Sequence, residues 1–400
     1  MPRVLMAVGS FPATSETFIV QEAASLVRRG VKLWSVTSRP ETKKPLSETE
    51  KNLSAQTDYA AQTMGEFLSL KPWRHLTLLM RAFRILKPIY PVPTVLRRLY
   101  AFLRLKHAVE QGNIDSVHAH WRGASDCAYV LKVLCGVPYT FFVHAHDLYD
   151  EGLGKDAAYR ALFAKKIAAA GCVFTCTAFN KDTLNTHFPN ANIRLIYHGV
   201  AAETLRIGEE RQYKNNNSSL SLLSVGRLVA YKGFQDVVPI ALKLRAAGVD
   251  FCWTLVGSGS LEETIRADIA ANGLEKHVVL KGALPHSGVL NAMKESDVFV
   301  FLGKPESGQY GLPNVLIEAA ATGLALVTTP QPTLAELCTP GESCLAAALE
   351  KMADTLITLA QDRSLQENLG KAAHLRAKNT HQHDHHCDAL WQECEAVCSR

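Results

Sequence analysis

Short apolar runs alternate with helical patterns along almost the whole of this chain, and that alternation leaves few folds open. In the first half, "RVLMAV" (3–8), "VKLWSVT" (31–37), "SVHAH" (116–120), "YTFFVHA" (139–145), "CVFTCT" (172–177) and "IRLIYHG" (193–199) read as strands. Between the first two lies "SETFIVQEAASLVRRG" (15–30), an amphipathic helical pattern ended by Gly30. Continuous apolar strands separated by helices belong in parallel sheets covered on both faces.

The texture changes at "GEERQYKNNNSSLS" (208–221), a polar stretch that reads as an exposed linker. A second series then starts: "LSLLSVGR" (220–227), "DFCWTLVG" (250–257), "HVVLKG" (277–282), "DVFVFLG" (297–303) and "LALVTT" (324–329). Helical patterns at Phe234–Ala247 and Leu261–Asn272 lie between them. The 400 residues therefore read as two α/β domains of Rossmann type, 1–207 and 208–379. A last helix is expected over about 380–400.

Composition narrows the class further. Hydrophobic content of 47% and charged content of 20% suit an ordinary globular protein, and a net charge of +5 does not argue for nucleic acid. The ten cysteines show no paired CxxC spacing, so a reducing compartment without a disulfide framework is expected. The first apolar run is too short for a signal core, and no run approaches the ~20 apolar residues of a spanning helix. The expectation is a cytoplasmic protein. Segment 71–109 stands apart: nine Lys and Arg, no acid, and Leu, Phe, Tyr, Trp and Ile between them. It reads as a basic amphipathic helix pair on the inner face of an anionic membrane, or as a solvated basic face over a core.

Several spots could carry chemistry. In "SVGRLVAYKGF" (224–234), Gly226 turns the chain after a strand, and Arg227 and Lys232 follow. Two cations at the carboxyl end of a parallel strand sit where such sheets bind ligands and could neutralise a diphosphate without a metal. "LVGSGSLEETI" (255–265) places Gly257 in a Gly-x-Gly turn before a helix, a weak anion-site signal. "GLPNVLIEAAATG" (311–323) opens a helix near Asn314, a candidate N-cap, with Glu318 one turn in, where it could accept hydroxyl hydrogen bonds as from a ribose. In the first half His118, His120, His144, His146 and Asp147 end two strands; such groups suit proton or hydroxyl handling near a sugar. His-x-His also invites a metal reading, as does "HQHDHHCD" (381–388), whose plainer account is a polar helix start.

Together, Arg-x4-Lys after the second domain's first strand, the Gly-x-Gly turn and "GLPNVLIEAAATG" resemble family 4 glycosyltransferases of the GT-B fold. "FPATSETFIVQEAASLVRRG", "HAH" and "VHAHDLY" are similar to the bacterial exopolysaccharide branch of colanic-acid and amylovoran type. The resemblance covers nearly the whole chain. It implies two Rossmann-like domains facing across a cleft, with the C-terminal helix crossing back to the N-terminal domain. The second domain would bind a nucleotide-diphosphate sugar and the first a lipid-linked or growing saccharide. Arg227 and Lys232 would hold the donor diphosphate and stabilise the leaving group. Glu318 would bind the ribose, and the amides at Gly311 and Leu312 the sugar or phosphate. Gly282 would sit near the base, Gly9 would face the diphosphate, and His144 would stand near the transferred sugar. His118, His120, His146 and Asp147 would face the acceptor. No metal or other cofactor is expected.

One departure stands out. The family pairs two glutamates with seven residues between them, and the first position here is Tyr310, while Glu306 lies four residues too early. Either Glu306 reaches in, or Tyr310 serves a different sugar, or activity is weak or absent. The main expectation is a retaining glycosyltransferase. A non-catalytic saccharide- or nucleotide-binding relative is the alternative, and a dehydrogenase is disfavoured because no strand is followed by a full GxGxxG with a downstream acid.

Overall fold

A computed structural model describes residues 2–13, 16–37, 47–60, 64–213, 219–304 and 311–399. The chain divides into two compact units. One comprises Met1–Tyr197 with Asp384–Arg400, the other His198–His383.

The first unit is built on a parallel sheet in the order β3-β2-β1-β4-β5-β6-β7. Its strands are β1 (Val4–Val8), β2 (Lys32–Ser35), β3 (Thr57–Tyr59), β4 (Ser116–His120), β5 (Tyr139–Phe142), β6 (Cys172–Thr175) and β7 (Ile193–Leu195). Side chains alternate across the pleat. Val4, Met6 and Val8 of β1 join one apolar cluster, and Leu5 and Ala7 join another on the opposite face. Both faces are buried, which is why these strands read as unbroken apolar runs. Helix Thr17–Val27 places Ile19, Val20, Ala23 and Leu26 in the first cluster, together with Leu390, Cys394 and Val397 of the terminal helix His383–Cys398. The C-terminal helix thus returns to the first unit, and ion pairs Arg29–Asp388 and Arg194–Glu393 flank it.

The second unit holds a parallel sheet in the order β10-β9-β8-β11-β12-β13. Its strands are β8 (Leu220–Val225), β9 (Phe251–Val256), β10 (Val278–Gly282), β11 (Val298–Phe301), β12 (Ala325–Thr328) and β13 (Leu345–Ala346). Trp253, fully buried, donates through Nε1 to Ser224 Oγ, which donates to the Val300 carbonyl, tying β9, β8 and β11 together. Helix Ala202–Glu209 packs against helices Asn314–Ala321 and Arg363–Thr380, so the contact boundary falls at 197/198, earlier than the polar stretch suggested. That stretch is anchored at its start. Arg211 donates to the carbonyls of Thr322, Ser296 and Met293, and Tyr213 to that of Gly323. Its charge satisfies helix-end carbonyls, which a reading of polarity alone could not see.

The basic segment forms helices Leu76–Leu86 and Val92–Gly112. Trp73, Leu76, Met80, Val92 and Leu96 are large apolar residues left exposed in segment 71–109, Trp73 at 61%, and Leu68 is exposed just before it. No helix among the described residues is long and apolar enough to cross a membrane. The ten cysteines are all free.

Candidate functional site

In the second unit, the candidate donor residues meet at the carboxyl ends of β8, β9 and β10. Gly226 N–H donates to the Val256 carbonyl at 2.9 Å and Gly257 N–H to the Gly282 carbonyl at 2.8 Å. Gly257 has φ +145°, and a Cβ there would fall 1.8 Å from the Gly226 oxygen. Only glycine permits this approach. Gly282 also lies at positive φ, +68°. Gly233, next to Lys232, is equally constrained, since a Cβ would lie 2.0 Å from the Leu302 oxygen.

Arg227 is exposed and donates to Tyr231 Oη. Lys232 lies in a small indentation walled by Ser224, Val225, Phe234 and the β11 residues Val300 and Phe301. Its Nζ stands 5.3 Å from the Tyr231 ring centre and 5.6 Å from that of Phe301. Burial, helped by the charge of Arg227, pushes its ammonium down to about 8. Two cations beside aromatic rings, with no carboxylate among these contacts, form a site poised for an anion.

Glu318 answers a different question. His286, first residue of helix His286–Glu295, brings Nε2 to 3.0 Å from Glu318 Oε1. Sequence reasoning missed His286; its signal was a lone histidine opening a helix just beyond β10. The helix bearing Glu318 starts at Asn314 with Pro313 as cap and no side-chain cap bond. Asn314 is therefore its first residue and not the N-cap expected, because Pro313 already takes the extended conformation a cap needs. Gly311 lies just before this helix, while Leu312 turns into the apolar core. Glu306 and Tyr310 lie outside the described residues.

In the first unit, Gly9 follows β1, and its carbonyl accepts from Ser35 Oγ at 3.0 Å and Thr37 Oγ1 at 3.3 Å. His118 and His120 do not reach a surface, as acceptor contacts would have to. Both are fully buried, because their strand positions face the cluster beneath helix Thr17–Val27. Glu22 of that helix, also fully buried, meets them: Oε1 lies 2.7 Å from His120 Nε2 and 3.5 Å from His118 Nε2. Its Oε2 accepts from His386 Nε2 at 2.8 Å, and His386 Nδ1 donates to the Tyr197 carbonyl. Burial would raise Glu22, but the charge of His120 and the bonds from His118, His120 and His386 outweigh it and hold the carboxyl well below its usual range. Burial pushes His118 down to about 4 against the pull of Glu22. Sequence reasoning missed Glu22, whose signal was a carboxylate on a mostly apolar helix face; His386 carried no such signal, because its partners lie more than 180 residues away.

His144 is 3.3 Å through Nε2 from His120 Nδ1, and its ring lies 4.2 Å from that of Trp121. Trp121 takes φ +68°, strained for a bulky residue, and donates from Nε1 to Glu16. Asp147 is buried and accepts from the His144 backbone N–H at 3.1 Å, so it positions that residue instead of facing an acceptor. His146 is exposed and paired with Asp150 at 2.7 Å. The "HQHDHHCD" run does not act as one cluster: His381 Nδ1 faces the His198 carbonyl in the second unit, and His386 turns to Glu22 in the first.

Comparison with known proteins fits this arrangement. Residues 15–204 match the glycosyltransferase family 4 model, and residues 207–376 match that of glycosyl transferases group 1. The amylovoran biosynthesis glycosyltransferase AmsK of Erwinia amylovora is 25% identical over 356 residues, 82% of each chain. The putative colanic acid biosynthesis glycosyltransferase WcaL of Salmonella typhimurium is 30% identical over 135 residues, a third of each. Among solved structures, a glycosyltransferase from Rickettsia africae superposes with TM-score 0.71 at 14% identity, covering 99% of this chain and 98% of that one. Anabaena HepE in complex with UDP and glucose superposes with TM-score 0.70 at 14% identity, covering 98% and 100%. With both halves matched from residue 15 to residue 376 and a GT-B fold throughout, the chain belongs to the family 4 glycosyltransferases.

Proposed function

We propose that this glycosyltransferase is a retaining enzyme that takes a nucleotide-diphosphate sugar in its second unit and extends a lipid-linked or growing saccharide of the cell surface. The observation that carries the reading is the Arg227–Lys232 pair beside the Gly226–Gly257–Gly282 backbone at the ends of β8, β9 and β10. The small glycine surface admits a diphosphate close to the main chain, and the two cations meet its charge. As the sugar–phosphate bond breaks, negative charge grows on the leaving oxygen, and Arg227 and Lys232 stabilise it. At pH 7 an ammonium with a value of about 8 is still mostly charged. The transfer chemistry proposed here uses these cations and no metal. Glu318, held by His286, receives the ribose hydroxyls, and the first unit takes the acceptor.

The relatives support the pathway class: AmsK is named for amylovoran biosynthesis and WcaL for colanic acid biosynthesis. HepE was solved with UDP and glucose. The test is a thermal-shift screen against UDP-, GDP-, ADP- and dTDP-sugars. A specific shift with one nucleotide, lost in Lys232→Ala, is the expected result. No shift with any of them, or equal binding by Lys232→Ala, would overturn the donor assignment.

We also propose that the exposed apolar residues Trp73, Leu76 and Met80, beside Arg74, Arg81 and Arg84, lie on an anionic membrane surface. Trp73 emission should shift to the blue with phosphatidylglycerol vesicles and stay put with neutral ones; equal response to both would refute the contact.

A further inference from the structure

The network under helix Thr17–Val27 contains more nitrogen and oxygen acceptors than a hydroxyl-binding role needs. Three ligand-type atoms converge on one point: Glu22 Oε1, His118 Nε2 and His120 Nε2. Their separations are 2.7 Å between Glu22 and His120, 3.0 Å between the two histidines, and 3.5 Å between Glu22 and His118. All three residues are fully buried. Atoms bound to one tetrahedral zinc at ~2.0–2.1 Å sit roughly 3.3 Å apart. The triangle needs only a slight opening to match that spacing.

The surroundings have the form of a ligand shell. His118 and His120 are two residues apart on β4, so both rings project from the same face of the sheet. Each ring is held by its far nitrogen: His118 Nδ1 lies 2.8 Å from Thr140 Oγ1, and His120 Nδ1 lies 3.3 Å from His144 Nε2. Tethering of the outer nitrogen is what fixes a metal-bound imidazole, with Nε2 left to face the ion. The carboxylate is oriented in the same way, because its second oxygen accepts from His386 Nε2.

We propose that Glu22, His118 and His120 form a buried site for one divalent transition-metal ion, with zinc the best match to two imidazoles and a carboxylate. A water takes the fourth tetrahedral position. The ion joins helix Thr17–Val27 to β4, and through His386 the terminal helix shares in the same anchor. Its role is structural, and it has a consequence for His144. With Nε2 of His120 on the metal, Nδ1 keeps its proton and donates to His144 Nε2, which sets the His144 tautomer.

The experiment uses the full chain, purified without a histidine tag and passed over chelating resin, with metal counted by plasma mass spectrometry. About one zinc per chain is expected. Dipicolinate should remove it and lower Tm; equimolar Zn2+ should restore Tm, and Co2+ in its place should give visible four-coordinate d–d bands. His118→Gln and His120→Gln should lose the metal and the Zn2+-dependent rise in Tm. His385→Ala, an exposed position on the terminal helix, should keep both. Should the His118 and His120 variants fail to fold, the Co2+ spectrum of the wild type and of His385→Ala decides. A chain with no metal, no response to Zn2+ and no Co2+ bands overturns the proposal. So does metal that leaves with His385→Ala, since it then belongs to the terminal histidine run. Sugar transfer enters none of these readouts, so the donor assignment stands or falls separately.

Discussion

His286 Nε2 lies 3.0 Å from Glu318 Oε1, joining the first residue of one helix to the second turn of another. For the proposed ribose contact Glu318 must keep one rotamer, and a histidine bonded to one of its oxygens holds it there while leaving the other oxygen lone pairs to a ligand. His286→Ala should therefore weaken binding of the nucleoside diphosphate by roughly 3–10-fold, the size of one net hydrogen bond. Glu318→Gln should weaken it more. Calorimetry with ribo- and 2′-deoxyribonucleotides checks this. If His286→Ala loses nothing, the pair has only a packing role.

Lys232 links fold stability and the proposed diphosphate binding in opposite directions. Its folded value of about 8 lies below the ordinary 10.5. A charged lysine therefore destabilises the fold at pH below about 8, and the penalty fades as pH rises toward 10.5. Lys232→Met should raise Tm at pH 7 by roughly 2–4 °C while abolishing diphosphate binding, and the gain should shrink by pH 10. In the wild type, diphosphate binding should fall as pH climbs through about 8. A drop in Tm at pH 7 would show that the ammonium is better solvated than its apolar walls suggest.

Gly257 and Gly226 differ sharply as targets. Alanine at 257 meets the Gly226 oxygen at 1.8 Å and keeps an unfavourable φ of +145°, whereas a Cβ at 226 meets only the Phe234 ring at 3.6 Å. Gly257→Ala should cost roughly 2–4 kcal/mol and Gly226→Ala under about 1 kcal/mol. Urea titrations of the two variants compare them directly, and equal midpoints would contradict the geometry.

In the first unit, Asp126 is buried against Lys166 at 2.8 Å and Arg98 at 3.1 Å, and Tyr90 donates to it at 2.5 Å. Burial would raise its carboxyl, but Lys166 and Arg98 outweigh that and hold it below its ordinary value of 3.8. The stabilisation is present above that value and lost as pH falls through the lower folded value. Asp126→Asn leaves Lys166 buried without its counter-charge and should cost roughly 3–5 kcal/mol at pH 7. The variant's stability should also depend less on pH in the acid range. Chemical unfolding at pH 7 and at pH 3.5 tests both points.

Much of the fold was legible because its signals are local. The strand at Val4–Val8 is an unbroken apolar run, and Gly257 follows a strand in a Gly-x-Gly turn. Edge strands β3 and β13 were not, since Thr57–Tyr59 and Leu345–Ala346 are short and owe their extension to a neighbour. The candidate site divides in the same way. Arg227, Lys232 and Glu318 carry their spacing with them, and that spacing pointed to the family. His118 and His120 were visible as chemistry but not as buried chemistry. Burial depends on what helix Thr17–Val27 and the terminal helix lay over β4, and no local pattern encodes that.

The sequence by itself therefore determined two parallel α/β units, their family and the cations of the proposed donor site, since periodicity and short motifs act within a few residues. Only the tertiary structure decided that Glu318 has His286 as its partner, and that Glu22, His118, His120 and His386 form one buried network. Those contacts join residues 32, 98 and 364 positions apart. They form because packing two apolar faces on one sheet leaves each buried polar group to find its partner wherever the chain returns.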